Sequence, residues 1–181
     1  MRAATASAVG RLAAPVTVLT VCHDGRTHGT TVSTLTTVSR TPLLLTASLP
    51  EGSDLAHLML AEGRFAVNVL SGGQRALARR FADRDHPAED DPFEGLAWRT
   101  DRYSGAPLLD GALAHYSCRV RGSFLVGDHE VLLGLVVRAH TGLTGHPLLS
   151  YDGELRTGAA DPELPRVPDL PTLHPKETAT L

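Results

Sequence analysis

"HGTTVSTLTTVSRTPLLL", residues 28–45, decides how the rest of the chain is read. It opens with β-branched residues, as a strand does. Hydroxyls then fall on both faces, at Thr30, Thr31, Ser33, Thr34, Thr36, Thr37 and Ser39. A simple half-buried strand would alternate apolar and polar residues. Alternation places Thr31 and Ser33 on one face, with Thr37 and Ser39 beyond an expected bend. Hydroxyls and freed backbone N–H groups at such a bend suit a phosphate or the carbonyl edge of a heterocycle. A solvated, threonine-rich sheet edge would carry the same residues. Taken alone, the segment leaves both readings open.

Upstream, Pro15 starts an extended run, "PVTVLTVC", and residues 2–12 suggest a short Ala-rich helix. "HDGRTHG" follows, and its Asp24-Gly25 pair predicts a hairpin with the opening segment as the returning strand. Downstream, "PLLLTASL" reads as a buried strand. "GSDLAHLMLAEG" reads as a helix capped by Ser53 or Asp54, with Leu55, Leu58 and Met59 at helical spacing and Gly63 at its end. "RFAVNVL" predicts a strand and "GGQRALARRFA" a second helix, with Leu77 and Phe81 four apart. Residues 83–96 form an acidic loop with prolines. "ALAHYSCRVRGSFLV" and "HEVLLGLVVRAH" predict two long strands joined through "GDH". After Tyr151 the composition changes: Pro162, Pro165, Pro168, Pro171 and Pro175 sit among few large apolar residues. The expected organisation is one domain over residues 1–158 and a proline-rich tail over 159–181. Short strands with hairpin turns predict a mainly β protein with short helices, built as a small antiparallel barrel.

Composition narrows the function. Of 181 residues, 42% are hydrophobic and 20% charged, which suits a globular domain with a real core. The net charge of −3 argues against nucleic-acid binding through general basicity. Cys22 and Cys118 make neither a disulfide framework nor a CxxC site, and reduced thiols point to the cytoplasm. No apolar run reaches the roughly 18 residues of a membrane span. The nine histidines are scattered without ligand spacing, so no metal site is expected, and His57, His86, His140, His146 and His174 read as surface or loop residues. No phosphate-binding GxxxxGK[ST] loop, GxGxxG fingerprint, GxSxG elbow or HExxH helix is present. The glycine pair of "SGGQRA" is explained equally well by turn geometry before a helix.

Residues 28–45 resemble the flavin-binding segment of the flavin reductase family, whose usual form is hGMTvsSftSVSldPPLv. Four more stretches resemble family patterns in the same order: "GRLAAPVTVLT", "GRFAVNVLSGGQRALARRFA", "GAPLLDGALAHYSCRV" and "GDHEVLLGLVV". Together they cover residues 8–153. The resemblance implies an FMN-binding split β-barrel, a homodimer with flavin near the subunit interface, and NADH- or NADPH-dependent reduction of FMN or FAD. It also implies a separate monooxygenase that receives the reduced flavin. Thr31, Val32, Ser33, Thr34, Leu35, Thr37 and Val38 fall where the family holds flavin. Ser53 and Asp54 match the start of a helix whose N–H groups receive the flavin phosphate, a role a helix N-terminus suits. Ser53 equally suits a plain N-cap. His129 matches the position that packs against nicotinamide, the one catalytic assignment, with Asp128 orienting it or shaping the turn. Phe81 and Tyr151 complete the expected cofactor contacts.

The chain departs from the pattern at Pro15, Thr30, Leu35, Leu43 and Leu55. Leu55 stands where a threonine often helps bind phosphate, so FMN binding is expected to be weaker or exchange looser. Two other readings share the scaffold: an enzyme with fixed prosthetic flavin acting on an organic substrate, and a non-catalytic flavin-binding protein.

Overall fold

The computed structural model describes residues 8–83 and 91–158. Its strands are β1 (Ala14–Pro15), β2 (Thr17–His23), β3 (Arg26–Val32), β4 (Thr36–Arg40), β5 (Leu43–Pro50), β6 (Arg64–Val69), β7 (Trp98–Thr100), β8 (Pro107–Leu109), β9 (Ala114–Val126), β10 (His129–Thr141), β11 (Leu148–Tyr151) and β12 (Glu154–Thr157). Two helices complete it, α1 (Asp54–Glu62) and α2 (Arg75–Ala82). Of the expected N-terminal helix, residues 1–7 lie outside the described residues. Ala8–Leu12 make one turn, with the Arg11 N–H donating to Ala8 C=O at 3.1 Å.

Seven strands form one antiparallel sheet in the order β3-β2-β6-β9-β10-β5-β4. The β2–β3 hairpin turns at Asp24-Gly25 with φ of 49° and 75°, as a two-residue primed turn requires. The expected bend is real: β3 ends at Val32, Ser33–Leu35 break the strand, and β4 pairs with β5 instead of β2. The ladder is open, with β3 and β4 as its edges.

β2 and β6 are buried on both faces, which is why their sequences run apolar without clean alternation. One face meets α1 in a core of Leu19, Val21, Leu55, Met59, Phe65, Val67 and Leu132, among others. The other meets α2 and the segment around Phe93 in a second core of Val16, Val18, Leu70, Phe81, Leu109 and Leu148. β5 departs from the expected fully buried strand. Leu45, Ala47 and Leu49 point into the core, while Leu44, Thr46 and Ser48 stay partly exposed on the opposite face.

Three further features were not anticipated. β7 pairs with β8, and β11 and β12 form a second Asp-Gly hairpin at Asp152-Gly153, with φ of 54° and 75°. Residues 91–96 are more than an acidic loop, because Phe93 is buried with its ring centroid 4.9 Å from that of Phe81. Residues 84–90 of that loop and the tail from 159 lie outside the described residues.

Candidate active site

A cleft of about 640 Å³ opens where β3 breaks, β5 ends and α1 begins. His28–Thr34 form one wall, and Ser48–Pro50 with the Glu51–Ser53 turn form another. Asp54, Leu55 and Leu58 of α1, Phe81–Asp83 at the end of α2, Pro92 and His129 complete it. A polar-rimmed cavity of this size falls within the roughly 300–1,000 Å³ typical of small-molecule sites.

Three of the seven hydroxyls of the opening segment are already engaged, all of them beside the cleft. Thr30 Oγ1 donates to Phe81 C=O at 3.2 Å, and Thr31 Oγ1 to Ala78 C=O at 2.9 Å. Both hold the C-terminal half of α2 against the edge strand, and Thr30 satisfies one of the carbonyls that the helix end leaves unpaired, that of Phe81. Thr34 Oγ1 donates to Ser48 C=O at 2.8 Å and accepts from Ser48 N–H at 2.9 Å. Ser33, exposed at the bend and lining the cleft, has no hydrogen-bond partner among the described residues.

Gly29 lets α2 approach β3. A Cβ there would sit 3.0 Å from the Phe81 ring and 3.2 Å from that of Phe93. Phe81 thus forms the floor at that end of the cleft, buried beneath the threonine edge.

Ser53 caps α1, its Oγ accepting from Ala56 N–H at 3.5 Å, and it also lines the cleft. Asp54 and Leu55, in the first turn behind it, present N–H groups that have no intrahelical acceptor. Asp54 and Glu51 bring carboxylates to the same rim.

His129 is fixed from three sides. It pairs across the ladder with Pro50 on β5 and with Val126 on β9, and its Nδ1 lies 2.7 Å from Asp128 Oδ1. That hydrogen bond holds the Asp128 carboxyl below the usual carboxylate range. Asp128 C=O also accepts from Glu51 N–H at 3.0 Å, tying the β9–β10 hairpin to the turn before α1. His28, half-buried on β3, is held below the ordinary histidine value, first by burial and then by His23 and Arg26; Asp54 opposes them.

The structure gathers Thr31, Val32, Ser33, Thr34, Ser53, Asp54, Phe81 and His129 around one cleft. Four other expected contacts lie elsewhere. Leu35 packs against the α1 core. Thr37 and Val38 line a separate groove of about 560 Å³ on edge strand β4, where a bulge between Thr37 and Ser39 turns Val38 outward. Tyr151 sits on the three-stranded sheet between Arg11 and Arg156, whose guanidinium carbons lie 6.0 and 5.5 Å from its ring centroid. Sequence reading missed His28, Ser48–Gly52, Leu58, Asp83 and Pro92 as wall residues. Only the strand-to-helix punctuation "PEGS" hinted at the turn. No cluster of His, Cys, Asp or Glu suited to a metal occurs among the described residues. No helix among them is long and apolar enough to cross a membrane.

The profile described as "Flavin reductase like domain" matches residues 9–159. The chain belongs to the flavin reductase family. An NADH-dependent FAD reductase of Streptomyces globisporus is 35% identical to this flavin reductase domain over 146 residues, 81% of the chain and 80% of the relative. The reductase subunit HsaB of a flavin-dependent monooxygenase from Mycobacterium tuberculosis is 31% identical over 150 residues, 82% of the chain and 78% of the relative. The solved Streptomyces globisporus C-1027 NADH:FAD oxidoreductase SgcE6, in complex with NAD and FAD fragments, aligns with a TM-score of 0.82 at 33% identity. That alignment covers 90% of this chain and 95% of SgcE6.

Proposed function

We propose that the chain is an NAD(P)H:flavin oxidoreductase that reduces FMN or FAD and releases it to a separate monooxygenase. The cleft carries the reading: it gathers a histidine on a hairpin rim, a free serine hydroxyl and a helix start around one cavity, in a chain of this family. When bound, the cofactors supply hydride transfer from nicotinamide C4 to flavin N5. The residues present suit a planar ring with a hydrogen-bonding edge. Ser33 and the backbone at the β3 break offer donors to that edge, where negative charge develops. Phe81 gives an apolar floor. His129, its Nδ1 engaged by Asp128, would offer a ring face for nicotinamide to pack against and so help to orient it.

The same reading makes the open ladder a split barrel and the active form a homodimer. β3 and β4 are the ladder's two edges yet follow each other in the chain, and the Thr34–Ser48 bonds hold their junction to β5. On the sheet face opposite the α1 core, Val131, Leu133, Leu135 and Val137 of β10 make a partly exposed apolar row, continued by Phe124 and Val126 of β9 at 62% and 60% exposure. A second copy covering this row would remove it from water. Sedimentation should give a dimer; a stable, flavin-binding monomer would remove the dimer proposal.

The deciding experiment is oxidation of NADH and NADPH with FMN, FAD and riboflavin supplied in turn. Multiple turnovers of added flavin are expected. Oxidation with none of the flavins would overturn the reading. Tight retention of flavin with poor turnover of added flavin would favour a fixed prosthetic group.

A further inference from the structure

Among its described residues the cleft lining is short of positive charge for ligands that carry phosphates. Among the described residues its lining holds the carboxylates of Glu51, Asp54 and Asp83 and no lysine or arginine. The imidazoles among those described lining residues are His28 and His129. His129 already spends Nδ1 on Asp128. The His28 ring has no hydrogen-bond or ion-pair partner among the described residues and faces the same cleft as the Ser53–Asp54 helix start. We propose that His28 is a phosphate-binding residue of this cleft, and that its imidazole takes up a proton when a phosphate-bearing ligand binds. The proposal rests on the flavin reductase reading and adds a residue that the reading itself does not assign.

The surroundings of His28 set the direction of the proton. Arg26 on its own strand and His23 on β2 disfavour the imidazolium, and burial disfavours it more, so the ring is neutral near pH 7 in the free protein. Asp54 on α1 pulls the other way. Glu51 in the preceding turn, Asp83 at the end of α2 and His129 on β10 are the other titratable groups of the lining. An arriving phosphate places one or two negative charges beside the ring, which favours the charged form and a charge-assisted hydrogen bond. The first-turn N–H groups of α1 would bind the same anion from the other side. A flavin without phosphate makes no such demand.

Calorimetric titration at pH 7.5, in two buffers of different protonation enthalpy, separates the cases. The ligands are riboflavin, FMN, FAD and NADH, each with the native chain and with His28→Gln. A phosphomonoester ionises near pH 6, so FMN is already a dianion and any proton taken up goes to the protein. Uptake is expected with FMN, FAD or NADH and not with riboflavin, and the ligand that shows it identifies whose phosphate His28 meets. His28→Gln should abolish the uptake and weaken that ligand about tenfold, while riboflavin changes by less than about twofold. Equal uptake with riboflavin, or binding of FMN, FAD and NADH without proton exchange, would overturn the proposal. So would an equal loss of riboflavin affinity in His28→Gln. Riboflavin binding in any of these outcomes leaves the flavin reductase reading standing, whereas failure of all four ligands removes both.

Discussion

Thr34 and Ser48 are joined twice: the threonine hydroxyl donates to the serine carbonyl at 2.8 Å and accepts from its N–H at 2.9 Å. One side chain thus replaces a rung of sheet between the β3 break and β5, and it places Ser33 over the cleft. Thr34→Val keeps the shape and removes both bonds. Because Thr34 is exposed, water can partly satisfy Ser48, and the expected loss is about 1 kcal/mol. A lower urea midpoint at unchanged slope, together with weaker flavin binding, would show it.

His129 should serve nicotinamide binding rather than proton transfer. Hydride transfer needs no side-chain acid in the same step, and the Nδ1 of His129 is held by Asp128. His129→Ala is expected to raise the KM for NAD(P)H more than it lowers kcat, with little change in flavin affinity. Steady-state kinetics at varied nicotinamide concentration check this. A new steep pH dependence at unchanged KM would assign acid–base work instead.

Asp101 links stability to pH. Its carboxylate is buried, which by itself raises its pKa. Hydrogen bonds from Ser104 Oγ at 2.6 Å, Ser104 N–H at 2.8 Å and Ser117 Oγ at 2.9 Å outweigh that and hold it below the usual carboxylate range. A depressed folded pKa gives stability that is present above the unfolded value and lost as pH falls through the folded one. Asp101→Asn should therefore cost about 2 kcal/mol near neutral pH. The gap from the native chain should narrow between pH 5 and pH 2, read from urea midpoints.

Gly134 is held small by the core. A Cβ there would lie 2.7 Å from Phe65 Cζ and 3.4 Å from Cys118 Cβ, and both neighbours are buried. Gly134→Ala should destabilise by about 1–3 kcal/mol through overpacking. Gly122→Ala, with nothing within 4 Å of the new atom, is the matched control and should be close to neutral in thermal melts.

The chain beyond residue 158 should be dispensable for hydride transfer. β12 ends at Thr157, Gly158 N–H donates to Pro147 C=O at 2.8 Å, and the family match stops at residue 159. Truncation after Gly158 should keep most NADH-dependent flavin reduction. A large loss would mean that residues 159–181 take part in the site or the assembly.

Much of the local structure was legible because it depends on neighbours in sequence. Asp24-Gly25 announces its turn through backbone sterics, Ser53 and Gly63 bracket α1 through capping, and "RFAVNVL" shows its strand by composition. The hydroxyl pattern of residues 28–39 located the β3 break, and two long strand candidates joined through "GDH" located the His129 hairpin. β7, β8, β11 and β12 were missed because each is only three or four residues long and is defined by its pairing partner. Phe93 looked like a loop residue because its burial depends on Phe81, twelve positions away, and on the space left by Gly29.

The site divides in the same way. The hydroxyl-rich composition of residues 28–39 was evident from sequence, but which hydroxyls remain free was decided by where α2 and β5 dock. Of the four hydroxyls from this segment that line the cleft, those contacts consume the donors of Thr30, Thr31 and Thr34 and leave Ser33. Leu35, Thr37, Val38 and Tyr151 match family positions, yet the bulge in β4 and the pairing of β11 with β1 and β12 carry them away from the cleft within this chain. Sequence by itself determined the turns, caps, strand candidates and family, because short-range sterics and ordered motifs are written along the chain. Tertiary structure alone decided which groups share one cavity, because His28, Ser48, Asp54, Phe81 and His129 meet only after long loops have closed.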